Sequence, residues 1–518
     1  MSRTLFYDGN ILTMETEHIQ EAIIINNGII ERTGTLEEMY AFTDNQTERI
    51  RLYGNTLMPG FIDSHSHFLS FAYQMLEPDL SGATDLSTIK DNILHFYSQQ
   101  KPERPGWLTA GGLPDGLPRF TLHDLDTICG QNPLVIKTQS GHMGYINSAG
   151  LRLLQISDRC NGYLEETDFL SALKRIPAKP LNQINESVKE AQKIYLSYGI
   201  TTMQEGMILD EMVPMIESIC QKELLDIDWV GYADATNAAM IYKKLEKYSG
   251  TYVSHFRLGG RKTFLDGSPQ GRTAWMKSPY TGTKNYCGYG TMTDDELYEI
   301  YRTALHENKQ LLLHCNGDAA IEQAIRVYEK ALANFHLQCT ALGTVLTNFT
   351  DIRPVLVHCQ FVSKKQLKRA KQLGMIPSFF MEHVYEFGDC HCKNLGEKRA
   401  ASMSPARTAA TYDLNFTMHQ DTPVLRPDMF HTLWCACTRK TRSGRTLGPD
   451  ERISVFEALK ALTINGAYQY FEESIKGTLS PGKYADMILV DKNPLTIPVG
   501  ELPGVKILEV YKKGIPLL

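Results

Sequence analysis

The ten residues MPGFIDSHSH, at positions 58–67, join a strand-like apolar start to side chains that can bind a metal ion. Alternate residues of an extended chain face the same side, so Asp63, His65 and His67 share one face. If that face points inward, two neutral imidazoles need partners, and one metal ion satisfies both. If it points to solvent, the run is an edge strand with two idle histidines. The stretch alone leaves both interpretations open.

Further polar residues fall near the ends of other strand-like runs. In chain order these residues are Lys262 and Asp266, His314, His358, and Asp421. The chain has only 15 histidines, and four of them stand at the ends of three such runs. Side chains at the C-terminal ends of barrel strands converge on one site. A shared metal site is therefore favoured over four separate structural histidines.

Two divalent cations a few ångströms apart need imidazoles, a terminal carboxylate and a bridging anion. His65, His67 and Asp421 would bind one ion, and His314 and His358 the other. Lys262 is the candidate bridge, because carboxylation by carbon dioxide converts its amine into an anionic carbamate. The alternative for Lys262 is a surface lysine paired with a carboxylate.

Eight short apolar or alternating runs must position these residues. They are GFIDSH, GITTMQ, DIDWVGY, RKTFLD, QLLLHC, PVLVHC, MIPSFF and NFTMHQ. Helical patterns follow several of them, and the fourth run has Lys262 at its start. Strands that alternate with helices predict an α/β fold, here a closed (β/α)8 TIM barrel over residues 58–469. The segment from about 68 to 195 is too long for one strand–helix unit and predicts an inserted subdomain or lid.

Both chain ends are rich in short strands and turns. In AIIINNGIIERTG, two apolar runs flank Asn26-Asn27-Gly28, which is a strong hairpin signal. ADMILVDKN and VKILEVYKKGIPLL have the same character near the other end. Residues 1–57 and 470–518 are therefore predicted to form one small β domain.

The composition excludes several function classes. A net charge of −6 without a long basic run argues against nucleic acid as a partner. No apolar run is long enough to span a membrane, and the N-terminus lacks the apolar core of a signal peptide. Eleven scattered cysteines favour a reducing cytoplasm. The Cys390/Cys392 and Cys435/Cys437 pairs lack the ligand spacing of a zinc ribbon.

Several of these stretches resemble the amidohydrolase superfamily over essentially the whole chain. MPGFIDSHSH is similar to its strand-1 signature, and GTLSPGKYADMILVD to its returning C-terminal strands. The runs KTFLDGSPQGRTAWMKSPY, HCNGDAAI, LVHCQFV and SGHMGYINSAG resemble the branch that contains N-substituted formamide deformylases. The resemblance implies a distorted (β/α)8 barrel with a small β-sandwich domain made from both chain ends.

Carried over by position, the resemblance implies two divalent metal ions, Zn²⁺ first, with Mn²⁺, Fe²⁺ or Co²⁺ as alternatives. Its metal ligands are His65, His67, Lys262 as a carbamate, His314, His358 and Asp421. His142 matches a histidine that holds the substrate or the developing oxyanion. Asp266, Arg272 and Trp275 are weaker candidates for the substrate pocket or its scaffold. His419-Gln420 replaces the small Gly-Ser pair usual before the strand-8 aspartate.

The predicted activity is hydrolysis of a non-peptide C–N bond, in an amide or an N-formyl or N-acyl amine, by a metal-activated water. Asp421 would move the proton. One alternative is a mononuclear aminohydrolase that deaminates a heterocycle, but no glutamate follows His314 until Glu322. The other is a non-catalytic metal-binding relic, which the full ligand set disfavours. The expected partner is a small amide-type substrate, without nucleic acid or membrane, and a homodimer is left open.

Overall fold

The computed structural model describes residues 3–99, 106–114, 119–138, 143–341 and 351–518. The chain divides into two compact units, one of Met1–Phe68 with Gln192–Leu518 and one of Leu69–Ala191. His142 lies outside the described residues, so the role predicted for it stays a prediction. The domain boundaries given above also stay predictions.

The larger unit is built on a parallel sheet whose eight strands pair in chain order. These strands are β1 Phe61–Ile62, β2 Ile200–Ile208, β3 Asp228–Asp234, β4 Phe256–Phe264, β5 Gln310–Cys315, β6 Val355–His358, β7 Ile376–Phe380 and β8 Thr417–His419. Each one overlaps one of the eight predicted runs. Almost every residue of these strands is buried or half-buried, as parallel strands covered by helices require.

The sheet curls so that its first and last strands approach each other. The Ser64 hydroxyl, just after β1, donates to the Met418 carbonyl of β8 at 3.0 Å. The backbone N–H of His67 donates to the carbonyl of Thr422 at 2.7 Å. The predicted α/β class with a curled parallel sheet is thus confirmed, and full closure of the barrel stays a prediction.

The fourth strand begins earlier than predicted. It starts at Phe256, so Lys262 lies near its C-terminal end rather than at its start, and that expectation is wrong. The cause is Gly259-Gly260, which interrupts the apolar pattern. A Cβ on Gly260 would stand 2.2 Å from the Gln310 carbonyl oxygen of β5, so the strand pairing itself needs glycine there. The extended strand carries Lys262 to the edge where the predicted ligands converge.

Helices follow the parallel strands and cover the sheet with their apolar faces. Those of the larger unit are Val213–Gln221, Ala238–Lys244, Asp294–His306, Asp318–Ala341, Lys364–Gln372, His383–Leu395, Glu397–Ala401, Ala406–Thr411, Met429–Thr438, Val455–Ala461 and Ile464–Gln469. The short helix Leu36–Tyr40 lies earlier in the chain, before the first parallel strand. Asp318–Ala341 buries Ile321, Ile325 and Tyr328, three residues of one face at helical spacing. Over the described ranges, no helix is both long and apolar enough to cross a bilayer.

Strands from both chain ends form a second sheet in the larger unit. They are Arg3–Leu12, Ile19–Asn26, Ile29–Gly34, Glu48–Arg51, Thr56–Pro59, Met487–Val490, Ile507–Lys512 and Ile515–Pro516. The two ends meet where Met487–Val490 pairs antiparallel with Thr56–Pro59. The predicted hairpin is present, with Asn27 and Gly28 both at positive φ in its turn. These strands are connected as a single sheet, so the β-sandwich stays a prediction.

The smaller unit has its own sheet and its own apolar cores. Its strands are Leu108–Leu113, Leu134–Thr138, Met143–Ile146 and Tyr163–Glu165. The helices between residues 68 and 197 are Phe68–Gln74, Leu86–Gln99, Leu122–Cys129, Ser148–Leu154, Glu166–Leu173 and Leu181–Ser197. One core contains Ile93, Leu125 and Ile136, and a second contains Ile146 and Phe169.

Candidate metal centre

Three of the predicted ligands form a compact group after β1 and β8. His65 Nε2 and His67 Nε2 lie 3.4 and 3.6 Å from the same oxygen, Oδ1 of Asp421. Ligand atoms bound tetrahedrally to one zinc ion stand about 3.4 Å apart. In the described part of the chain, this is the only such group of three or more His, Cys, Asp and Glu side chains. Asp63 is not a member, because its Oδ1 accepts the backbone N–H of His65 instead.

The hydrogen bonds of Gln204 fix the tautomer of His65. The Gln204 amide nitrogen donates to the Ser64 carbonyl at 2.7 Å and to the Tyr470 hydroxyl at 2.8 Å. Its oxygen must therefore accept, and it lies 2.7 Å from Nδ1 of His65. Nδ1 carries the proton, which leaves the lone pair of Nε2 directed toward Asp421.

The carboxylate of the neighbouring Glu205 lies beside His67, with its Oε1 3.4 Å from Nδ1 of that ring. Gln204 and Glu205 are both fully buried in the middle of β2. The sequence patterns described above predict no role for them. The available signal was a pair of polar residues at the end of an otherwise apolar run, as in the strands that carry histidines.

Lys262 lies inside this group of side chains. It is fully buried, and its Nζ stands 3.2 Å from Nε2 of His65. Burial lowers the pKa of Lys262 to about 8, although the charge of Asp421 opposes the change. Within the described residues, no carboxylate oxygen lies within ion-pair distance of Nζ. The alternative of a surface lysine with an acidic partner is therefore wrong.

His314 and His358 lie side by side at the ends of β5 and β6, with ring centroids 4.6 Å apart. His358 Nε2 is 3.8 Å from the second oxygen of Asp421, so this carboxylate faces the histidines of both predicted ions. His358 and Asp421 both adopt positive φ, 67° and 56°, which is unusual for these residues and typical of functional sites.

A chain of hydrogen bonds orients His358. Ser64 donates to a carbonyl, so its oxygen accepts from the Ser378 hydroxyl at 3.4 Å. Ser378 then accepts from Nδ1 of His419 at 2.9 Å, and Nε2 of His419 accepts from Nδ1 of His358 at 3.0 Å. This direction leaves the lone pair of His358 on Nε2, on the side of Asp421. His419, which replaces a small residue of the resembling branch, thus holds a predicted ligand in place.

The donor set fits a metal centre. Burial lowers the pKa of His65, His358 and His419 well below the ordinary value, so these imidazoles are neutral and can bind cations. Oδ1 of Asp421 is buried without a hydrogen-bond partner in the described structure, whereas Nδ1 of His314 lies 3.5 Å from Oδ1 of Asp266. An unpaired buried acceptor is costly, and a divalent cation would satisfy it.

The three weaker candidates from the sequence hold loops together. Asp266 accepts the backbone N–H groups of Trp275 at 3.0 Å and Asn316 at 2.9 Å, which joins the loops after β4 and β5. Arg272 Nε donates to the Asn394 side chain at 2.9 Å. These contacts are those of a scaffold, and contact with substrate stays a prediction for all three.

The remaining motifs lie outside the ligand group. All eleven cysteines are free thiols, and both cysteine pairs lie on helices. His383 is stacked 6.4 Å from His358, with an interplanar angle of 12°. Asp318 begins the helix after β5 and accepts the backbone N–H of Lys277 at 2.8 Å.

Comparison with known proteins gives relatives that match nearly the whole chain. YtcJ of Bacillus subtilis (strain 168) is 26% identical, over 98% of each chain. The N-substituted formamide deformylase of Arthrobacter pascens is 22% identical, over 99% of this chain and 98% of its own. An uncharacterized metal-dependent hydrolase from Pyrococcus furiosus has the same fold, with a TM-score of 0.79 at 22% identity, over 95% of this chain and all of that one.

The amidohydrolase family profile matches residues 49–517, which includes the whole parallel sheet and every predicted ligand. The match agrees with the ligand geometry and with the resemblance found in the sequence. The chain therefore belongs to the amidohydrolase family.

Proposed function

We propose that this protein is a metal-dependent hydrolase that cleaves a non-peptide, amide-type C–N bond in a small molecule. One observation carries the proposal. Lys262 is fully buried 3.2 Å from a predicted metal ligand, without a carboxylate partner in the described structure. An ammonium there is unfavourable, whereas a carbamate between two cations is favourable.

In this proposal two divalent ions bind, Zn²⁺ first, with Mn²⁺, Fe²⁺ or Co²⁺ as alternatives. His65, His67 and Asp421 would hold one, the two histidines of β5 and β6 would hold the other, and carboxylated Lys262 would supply an anionic ligand to both. When bound, the ions supply Lewis acidity, which acidifies water and polarises an amide carbonyl. A pKa of about 8 keeps about one lysine in ten in the neutral amine form at pH 7, the form that reacts with carbon dioxide.

Asp421 is the proposed acid–base group. Its two oxygens face different histidines, at 3.4 Å from His65 and 3.8 Å from His358, so the carboxylate stands between the two halves of the site. From there it takes the proton of the attacking water and returns it to the leaving nitrogen. His142 is proposed to hold the substrate carbonyl or the developing oxyanion.

The supporting architecture is proposed to be a closed, distorted (β/α)8 barrel with a β-sandwich formed from both chain ends. The contacts between β1 and β8 and the shared terminal sheet support this arrangement. We further propose a cytoplasmic enzyme with small amide substrates, either as a single chain or as a homodimer.

The proposal is tested with a panel of N-formyl and N-acyl amines. Protein loaded with zinc or manganese in bicarbonate should release free amine, and Asp421→Asn should lose this activity while the chain stays folded. Release of ammonia from a heterocycle by protein with one ion per chain would support the mononuclear alternative instead. Failure to bind metal or to hydrolyse any member of the panel would support the non-catalytic relic.

A further inference from the structure

The smaller unit, Leu69–Ala191, contains a cavity of about 990 Å³. All of its lining residues belong to this unit, and none is a predicted ligand of the metal centre. Small-molecule sites have volumes of roughly 300–1,000 Å³, so the cavity is large enough for a ligand of its own.

Most of the cavity wall is apolar or aromatic. It includes Leu94, Tyr97, Trp107, Leu108 and Ile176. Trp107 and Tyr97 offer flat rings, and the aliphatic side chains complete the surface around them. Such a wall favours the apolar body of a ligand, because burial of that body removes it from water.

The same cavity has a charged group of three side chains, Glu77, Lys137 and Lys179. The Glu77 carboxylate is almost completely buried, and Lys137 Nζ lies 2.5 Å from it. Lys179 has no ion pair or side-chain hydrogen bond through its ammonium in the described structure. Burial lowers the pKa of Lys179, with Glu77 opposing the change and Lys137 adding to it. Two lysine side chains and one carboxylate thus line the same cavity, which gives this group a net positive charge.

A hydroxyl without a partner lies on the same wall. Thr109 is buried, and its Oγ1 has no hydrogen-bond partner in the described residues. Its backbone is held on both sides by Tyr97, whose hydroxyl donates to the Thr109 carbonyl and accepts its N–H, both at 2.9 Å. The hydroxyl is therefore a fixed donor that a ligand can satisfy.

We propose that this cavity binds an amphipathic carboxylate, such as an aryl-alkyl carboxylic acid. The ligand carboxylate supplies the missing negative charge to Lys179 and accepts from the Thr109 hydroxyl, and the apolar body lies against Trp107, Tyr97 and the aliphatic wall. A cationic ligand is disfavoured, because Lys137 already neutralises Glu77. This site is separate from the proposed hydrolytic centre and does not depend on it.

The test is calorimetric titration of the metal-loaded, full-length protein with three probes of one shape: phenylbutyrate, phenylbutanol and phenylbutylamine. We expect phenylbutyrate to bind about tenfold or more tightly than the alcohol, with the amine weakest, because a charge-assisted hydrogen bond exceeds a neutral one. Lys179→Met should remove this preference for the carboxylate. Lys174→Met, at an exposed lysine of the same unit that does not line the cavity, should leave it unchanged.

Thr109→Val, which keeps the side-chain shape, should weaken phenylbutyrate binding and provides a second variant if Lys179→Met does not fold. Tighter binding of the amine, or carboxylate binding that both variants leave intact, would overturn the proposal. Carboxylate binding that Lys262→Met abolishes and Lys179→Met does not would place the probe at the metal centre, which also overturns it. Failure of all three probes to bind at low-millimolar concentration would also overturn the proposal.

Discussion

Replacing Lys262 with methionine should stabilise the metal-free protein while removing its ability to hold two ions. Methionine has a similar length and no charge, so it fits the same buried position. Burial lowers the pKa of Lys262 from 10.5 to about 8. At about 1.4 kcal/mol per pH unit, this difference corresponds to about 3 kcal/mol of free energy of unfolding that the charged lysine costs the folded state.

The sign of the pH dependence follows from the same values. Between pH 8 and 10.5 the unfolded chain binds the lysine proton and the folded chain does not, so stability rises with pH in this window. Below about pH 8 the full cost of Lys262 is present, and above 10.5 it is gone. The methionine variant lacks this group, so its advantage of about 3 kcal/mol at pH 7 should shrink as pH rises through the window.

The assay is urea unfolding of both metal-free proteins at pH 7 and pH 10, followed by fluorescence. Lys365→Met, at an exposed lysine of the helix Lys364–Gln372, is the matched control and should differ little from the wild type. Equal or lower stability of Lys262→Met at pH 7 would refute the reasoning, because it would mean that the ammonium is well accommodated in the fold. In that case the main argument for the carbamate would also be lost.

Three further predictions concern the surroundings of the site. His419→Phe keeps an aromatic ring but removes the hydrogen-bond partner of His358 Nδ1. The affinity for the ion bound by His358 should therefore fall about 10- to 100-fold, measured by competition with a chelating dye. An unchanged affinity would contradict the orienting role of His419. Lys512→Met removes the ion pair that Asp486 makes at 2.7 Å and leaves this carboxylate buried. The free energy of unfolding should therefore fall by about 3–5 kcal/mol. A loss below about 1 kcal/mol would contradict a stabilising role for the pair. After chelation, uptake of the second zinc ion should require bicarbonate and should increase as pH rises through about 8, since only the neutral amine of Lys262 forms a carbamate. Zinc uptake that depends neither on bicarbonate nor on pH would count against the carbamate bridge.

The strands of the parallel sheet could be predicted because their local patterns are strong. Runs such as QLLLHC, which matches β5 residue for residue, are short, apolar and bounded by turns. The hairpin at Asn27-Gly28 could also be predicted, since its turn needs residues that adopt positive φ, and Asn and Gly do so readily. The first half of β4 was missed because Gly259-Gly260 resembles a loop, and the reason for glycine is a close approach to β5 that no local pattern contains.

The grouping of His65, His67 and Asp421 could be predicted from the sequence, but the side chains that support this group could not. Histidines at strand ends are a rare and local signal. The partners of those histidines depend on side-chain direction and on contacts between residues far apart in sequence: Gln204 is 139 residues from His65, and His419 is 61 residues from His358. The buried pairing of Lys512 with Asp228 joins residues 284 positions apart. Such contacts become visible only once the sheet has brought its strand ends together.

The central claim is a two-ion site bridged by carboxylated Lys262. X-ray diffraction at the zinc absorption edge, from crystals of zinc-loaded protein grown in bicarbonate, tests it most directly. We expect two anomalous peaks, one between His65, His67 and Asp421 and one between His314 and His358, with branched density extending from Nζ of Lys262 toward both. A single peak, or two peaks with an unmodified Lys262 directed away from them, would contradict it.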